Sequence, residues 1–223
     1  GPGGAADPDF AYDPAPDSIE GLTMEGARVL GDQRFPKKAI EDYFNPAISQ
    51  CEAMMQGSEA RLYVARSPAE TIYYMLLAAA EEQPAQVIVS ACPDAYYLKG
   101  YASLDLGEVE TAEEFVNKAL VWSPQNAMFL SELGHIAQVK RDWEGSIGYF
   151  EKARDSANSF APEEIKVPES TRALRGIGFA LIELGRLDEA QAQFNAALDI
   201  DPQDEVSQQE LQYIEQLRSE PPQ

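Results

Sequence analysis

His135 is the one histidine of this 223-residue chain, so any zinc site, proton shuttle or imidazole-activated nucleophile would have to be built around it. No HExxH, CxxC or phosphate-loop lysine motif accompanies it. Cys51 and Cys92 have no metal or redox spacing and read as small buried residues, the usual fate of a free cysteine. Gly176-Ile177-Gly178 hints at a dinucleotide loop but lacks a preceding strand and a third glycine. Gly145-Ser146-Ile147-Gly148 sets a serine among glycines without the spacing of a nucleophile elbow. The acid pairs Glu81-Glu82, Glu113-Glu114 and Glu163-Glu164 could serve acid–base chemistry, although charge runs usually form solvated faces. No set of these groups assembles a site, and the chain reads as non-catalytic, with no cofactor and no metal.

The glycines belong instead to a periodic pattern. Gly100, Gly134 and Gly178 recur together with Ala119, Ala153 and Ala197 and with Pro124, Asn158 and Pro202. The first interval is 34 residues in each series and the second is 44, which is 34 plus an insertion of ten. Small residues at Gly100, Ala112, Gly134, Ser146, Gly178 and Ala190 let two antiparallel helices touch, and Val116, Phe150 and Phe194 fill the gap between them. Each glycine costs about 1 kcal/mol of helix propensity, so three in one register point to a shared packing need. Gly107 and Gly185 stand where the first helix of a pair stops, a left-handed position that favours glycine. Arg141 takes that place in the middle copy, which predicts a different turn there.

Leu174, Ile177, Gly178 and Leu181, followed by Ala190, Phe194, Ala197 and Pro202, reproduce the pattern of the tetratricopeptide repeat in register. The chain therefore resembles that family. The resemblance implies an all-α fold: a right-handed superhelix of antiparallel helix pairs, an α-solenoid, closed by a C-terminal capping helix. Copies are expected at 93–126, 127–160 and 171–204, with an irregular insertion loop at 161–170 carrying Pro162 and Pro168, and the capping helix at 205–218.

Residues 1–18 hold four prolines and four aspartates by Asp17, too little apolar surface to order the segment. The opening Gly1-Pro2, without an initiator methionine, has the look of a tag-removal scar, so a natural N-terminus is expected upstream. Residues 19–92 are expected to form degenerate helical repeats, because Ala39 and Tyr43 repeat the A-x3-F spacing. Within them Pro46 should kink a helix, Ser67-Pro68-Ala69-Glu70 should start one, and Val87-Ile88-Val89 is assigned to helix over strand.

In the family that the chain resembles, the first helices of the pairs line a groove for a partner segment. Carried onto this sequence, that register selects Tyr97, Tyr101 and Leu104, then Met128, Ser131, His135 and Gln138, then Arg172, Arg175, Phe179 and Ile182. The surface so defined is aromatic at one end and basic at the other. Relatives that clamp a C-terminal carboxylate use lysine and asparagine at several of these places, where this chain has Tyr97, Tyr101, Ser131 and His135, so that clamp is not implied. Tyr97, Tyr101 and Phe179 admit two readings, packing between repeats or contact with a partner.

Thirty-eight acidic against 17 basic side chains give a net charge of −21. That field repels nucleic acid and anionic membranes and speeds encounter with a basic protein. No stretch is apolar and long enough to enter a bilayer. The expected partner is a protein or peptide, basic on the charge argument. The leading reading is an interaction scaffold, and the alternative is an acidic immunity or inhibitor protein that neutralises a basic toxin. The compartment, cytoplasmic or exported, stays open at this level.

Overall fold

A computed structural model describes residues 13–220. The disordered segment expected at 1–18 lies outside the described residues as far as Tyr12. The repeats are three helix pairs: α5 (Cys92–Asp105) with α6 (Val109–Trp122), α7 (Ala127–Val139) with α8 (Trp143–Phe160), and α9 (Glu163–Glu183) with α10 (Leu187–Ile200). The helix α11 (Glu205–Ser219) closes the array. The molecule is an all-α right-handed superhelix of antiparallel pairs, with one small sheet added near its N-terminal end.

The glycine register is explained by close approach. A Cβ on Gly178 would lie 2.5 Å from the Phe194 ring, and one on Gly100 would lie 2.7 Å from Val116. Phe150 is held from both sides: one ring edge faces Gly134 of α7 and the other faces Gly176 of α9. The ring therefore locks two repeats together. It also accounts for Gly176 as a packing residue.

The turn at Arg141 does not differ from its counterparts. Gly107, Arg141 and Gly185 all have positive φ (77°, 61° and 71°), and the same pair of backbone hydrogen bonds closes each turn. Register imposed by packing outweighs the local cost, because an L-residue in the left-handed region loses about 1–2 kcal/mol. Replacing Arg141 with glycine should therefore raise stability by about 1 kcal/mol in denaturant titrations.

Two further expectations are corrected by the structure. Residues 161–170 form no irregular loop; from Glu163 onward they are the first turns of α9, with Pro168 inside the helix. Pro162 precedes the first turn, where Glu163 and Glu164 suit the helix dipole, and this starts the helix earlier than the repeat register predicts. Residues 87–89 are not helical either. Arg61–Tyr63 (β1) and Ala85–Val87 (β2) pair in parallel, joined by α4 (Pro68–Ala80), so this part of 19–92 is a minimal β-α-β unit. Three-residue strands are too short to show an alternating pattern.

Before that unit, α1 (Ile19–Gly31), α2 (Pro36–Ala39) and α3 (Asn45–Gln56) pack on α5. A π-helical turn at Ile40–Phe44 runs directly into Pro46, which is where the chain absorbs the disturbance expected of that proline. Cys51 of α3 and Cys92 of α5 form a disulfide with Cα atoms 5.7 Å apart, which corrects the reading of both as free thiols. Helix packing brings together two residues whose spacing carried no motif.

The extensions of α8 and α9 receive the β-α-β unit. Arg66 donates to both carboxylate oxygens of Glu169 at 2.6 and 3.0 Å, and the Tyr73 ring lies 5.0 Å from that of Phe160. Ser67 caps α4 through the Glu70 N–H. Glu70 is fully buried, accepting from the Tyr74 hydroxyl at 2.7 Å and from the Arg66 backbone N–H. Burial pushes the Glu70 carboxyl up. A carboxyl whose folded-state pKa is raised contributes stability that is complete below the ordinary glutamate range and is lost as pH rises through the raised value. Carbon-detected NMR should show Glu70 titrating above that range, and Glu25, held down by its hydrogen bond from Arg28, titrating below it.

Candidate partner-binding site

Of the register residues, some hold the array together, some line cavities, and Tyr97 does both. Tyr97 is core: it is 8% exposed and stacks on Phe129 at 5.0 Å. Burial and the Glu132 carboxylate push its hydroxyl up. Ser131 is buried, while Leu104 and Met128 are half-buried against the same core. Arg172 donates to Glu132 at 2.9 Å, and Arg175 lies 3.1 Å from Asp204; both carboxylates are buried. The basic end expected of the groove is thus neutralised from within. The two arginines tie α9 to α7 and to the start of α11, contacts that only the folded array brings about.

Tyr101 is exposed and lines a cavity of about 650 Å³ with Tyr97, Leu30, Arg34, Pro36, Leu98 and Asp105. The remaining four residues converge elsewhere. His135 and Gln138 of α7 and Phe179 and Ile182 of α9 line one cavity of about 760 Å³ with Val139, Trp143, Glu183, Glu210 and Tyr213. Gln138 donates its side-chain amide to the Gly176 carbonyl at 2.9 Å, which ties α7 to α9 beside the cavity. Phe179 is 36% exposed, and its ring meets that of Phe194 edge-on at 5.8 Å. It is therefore anchored at its base and open at its tip.

The lining combines apolar and aromatic side chains with two carboxylates, Glu183 and Glu210. Burial pushes the Glu210 carboxyl up. Among the described residues neither Glu183 nor Glu210 makes an ion pair, although many other acids of the chain do. A ligand bringing apolar surface together with a cation would bury the aromatics and neutralise these carboxylates. The register found His135, Gln138, Phe179 and Ile182. It could not find Trp143, Glu210 or Tyr213, because Trp143 opens a second helix and the other two lie on a terminal helix read as solvating. Among the described residues no group of three or more histidine, cysteine, aspartate or glutamate side chains could hold a metal ion.

Stacked helix pairs that share a core and leave a lined cavity on one face define an α-solenoid of the class used for protein recognition. The tetratricopeptide repeat family matches residues 93–126 and residues 131–205. The chain is a tetratricopeptide repeat protein. No curated protein matches its sequence. Among solved structures it is similar to PilW, a type IV pilus biogenesis factor, with a TM-score of 0.60 and 17% identity over 88% of this chain and 68% of that one. It is also similar to PilF of Pseudomonas aeruginosa, with a TM-score of 0.58 and 14% identity over 85% of this chain; it spans 64% of the PilF chain. A third is the first repeat domain of Spaghetti bound to an HSP90 peptide, with a TM-score of 0.50 and 18% identity over 57% of this chain and 96% of that one. At these identities the likeness is one of fold. No helix among the described residues is long and apolar enough to cross a membrane.

Proposed function

We propose that this protein is a non-catalytic interaction scaffold and that the cavity between α7, α9 and α11 is where a partner segment docks. The observation that carries the reading is the conjunction in one cavity of exposed Phe179 and Tyr213 with two carboxylates, Glu183 and Glu210, that have no cation of their own. The segment that fits is apolar or aromatic, flanked by lysine or arginine. A peptide-bound array such as that of Spaghetti shows that a fold of this kind can hold a peptide.

The net charge of −21 supports the basic character of the partner. The Cys51–Cys92 disulfide supports a place in an oxidising compartment, since such bonds are rare where thiols are kept reduced. Thiol trapping of the protein in its native cells, with the two cysteines found blocked from alkylation, would agree; free thiols in the mature protein would count against export.

Affinity capture followed by quantitative mass spectrometry tests the docking site. Partners recovered by the wild-type protein should be lost with Phe179→Ala/Tyr213→Ala, and recovery should fall several-fold between 50 and about 500 mM salt as charge is screened. Equal recovery by the folded double variant would remove the cavity from the account.

A further inference from the structure

The β-α-β unit ends in an unpaired sheet edge. In its parallel ladder the Arg61 N–H donates to the Pro84 carbonyl at 2.8 Å, and the Ile88 N–H donates to the Tyr63 carbonyl at 2.8 Å. Gln86 and Ile88 are therefore the residues of this segment that turn their backbone groups toward β1, and the N–H and C=O groups of Ala85 and Val87 point the other way. Among the described residues no strand lies on that side, and no other backbone group bonds to them. Both faces of the strand are covered: Ala85 and Val87 pack with Tyr63 and Tyr74 beneath α4, and Ile88 lies against the core of the array. A parallel pair of strands ordinarily belongs to a wider sheet, and an exposed edge is usually blunted by charge within the strand. Here Ala85 to Ser90 carry no charge, and Val89, next in the outward alternation, is fully exposed.

We propose that this edge is a second binding surface, where an extended segment of a basic partner protein adds to the sheet as a third strand beside β2, with a lysine or arginine at the end that meets Glu81 and Glu82. The backbone selects the shape of the occupant. Outward N–H and C=O groups repeating every about 6.6 Å are satisfied by another strand and not by a helix, whose own groups are already bonded. Charge selects its chemistry. The sequence from Ser67 to Leu98 holds no lysine or arginine, and exposed Glu81 and Glu82 stand just before β2. In a chain of net charge −21 an acidic strand or a second copy is repelled, whereas a basic strand is attracted.

The edge is held ready for such an addition. β1 ties β2 down along one side, the Ser123 hydroxyl donates to the Val64 carbonyl at 2.7 Å, and Arg66 holds the unit to Glu169. Binding therefore costs this chain little ordering. β-branched side chains at alternate positions of the added strand suit a pleated surface and extend the layer that Ala85 and Val87 form. The edge has no residue in common with the cavity between α7, α9 and α11, so the two readings stand or fall separately.

The test begins with the full chain carrying Phe179→Ala/Tyr213→Ala, so that the cavity takes no part in selection. A displayed library of random peptides panned against it should enrich β-branched residues at alternate positions, with lysine or arginine at one end. A synthetic peptide of that consensus, added to the isotope-labelled wild-type protein, should slow amide exchange of Ala85 and Val87 about tenfold and leave Gln86 and Ile88, already bonded to β1, nearly unchanged. Methylating the peptide's backbone nitrogens at alternate positions should abolish binding in one of the two phases. Glu81→Gln/Glu82→Gln should weaken it several-fold without moving the thermal transition. A library that yields no such consensus overturns the proposal, as does a peptide that leaves Ala85 and Val87 unprotected or binds when methylated in either phase. Protection of the same two amides on raising the concentration of the chain alone would give the edge to a second copy and overturn it too.

Discussion

Phe150→Ala should cost about 3–5 kcal/mol of stability and uncouple two repeats. The ring is 3% exposed and is gripped by Gly134 on one edge and Gly176 on the other, so its removal leaves a void bordered by two glycines that have no side chains to fill it. The loss should fall at the boundary between the second and third repeats. In a repeat array the coupling between neighbours decides cooperativity, so a single unfolding transition should split or broaden. Denaturant titration followed by fluorescence and by circular dichroism would read this as non-coincident curves. Phe194→Ala, whose ring meets one glycine and the base of Phe179, should destabilise the third repeat without that splitting. Coincident curves for Phe150→Ala would mean that the ring does not couple the repeats.

The second large effect is at the other end of the array. Replacing Cys51 and Cys92 with serine releases a cross-link between positions 41 residues apart. A closed loop of that length restricts the unfolded chain by about 4 kcal/mol. The consequence should be local, because the bond ties α3, and through it α1 and α2, to the first repeat. Hydrogen exchange should quicken across residues 19–56 in the double variant or under reductant. Protection within α9 and α10 should hardly change. Uniform loss of protection along the chain would show that the N-terminal helices and the array fold as one unit.

What could be read from the residues follows from how local each constraint is. Gly100, Gly134 and Gly178 announced the helix pairs because close approach demands a small residue at one fixed register, and that demand is written at every copy. Arg141 misled because a turn can be dictated by its flanking helices against the preference of the residue within it. The strands Arg61–Tyr63 and Ala85–Val87 were hidden by their length, since three residues hold no usable period. The Cys51–Cys92 bond depends on how α3 lies against α5, which no spacing encodes. Pro168 argued for a loop, yet its helix is held by Glu169 pairing with Arg66 about a hundred positions earlier.

The candidate site shows the same division. Repeat register singled out Phe179 and His135, which line one cavity because they lie on helices that the repeat itself places. It chose Arg172 and Arg175 on the same grounds without their partners, Glu132 and Asp204, which turn two apparent ligand contacts into internal ties. It omitted Tyr213 and Glu210 because the terminal helix follows no repeat rule.

The most direct test of the cavity is the composition of the peptides it selects. A displayed library of random peptides panned against the wild-type protein should enrich sequences with an aromatic or large aliphatic residue beside lysine or arginine. The same library panned against Phe179→Ala should lose that consensus, and against Glu183→Gln/Glu210→Gln it should keep the apolar residue and lose the basic one. Enrichment of acidic peptides, or a consensus that survives in all three proteins, would contradict the account.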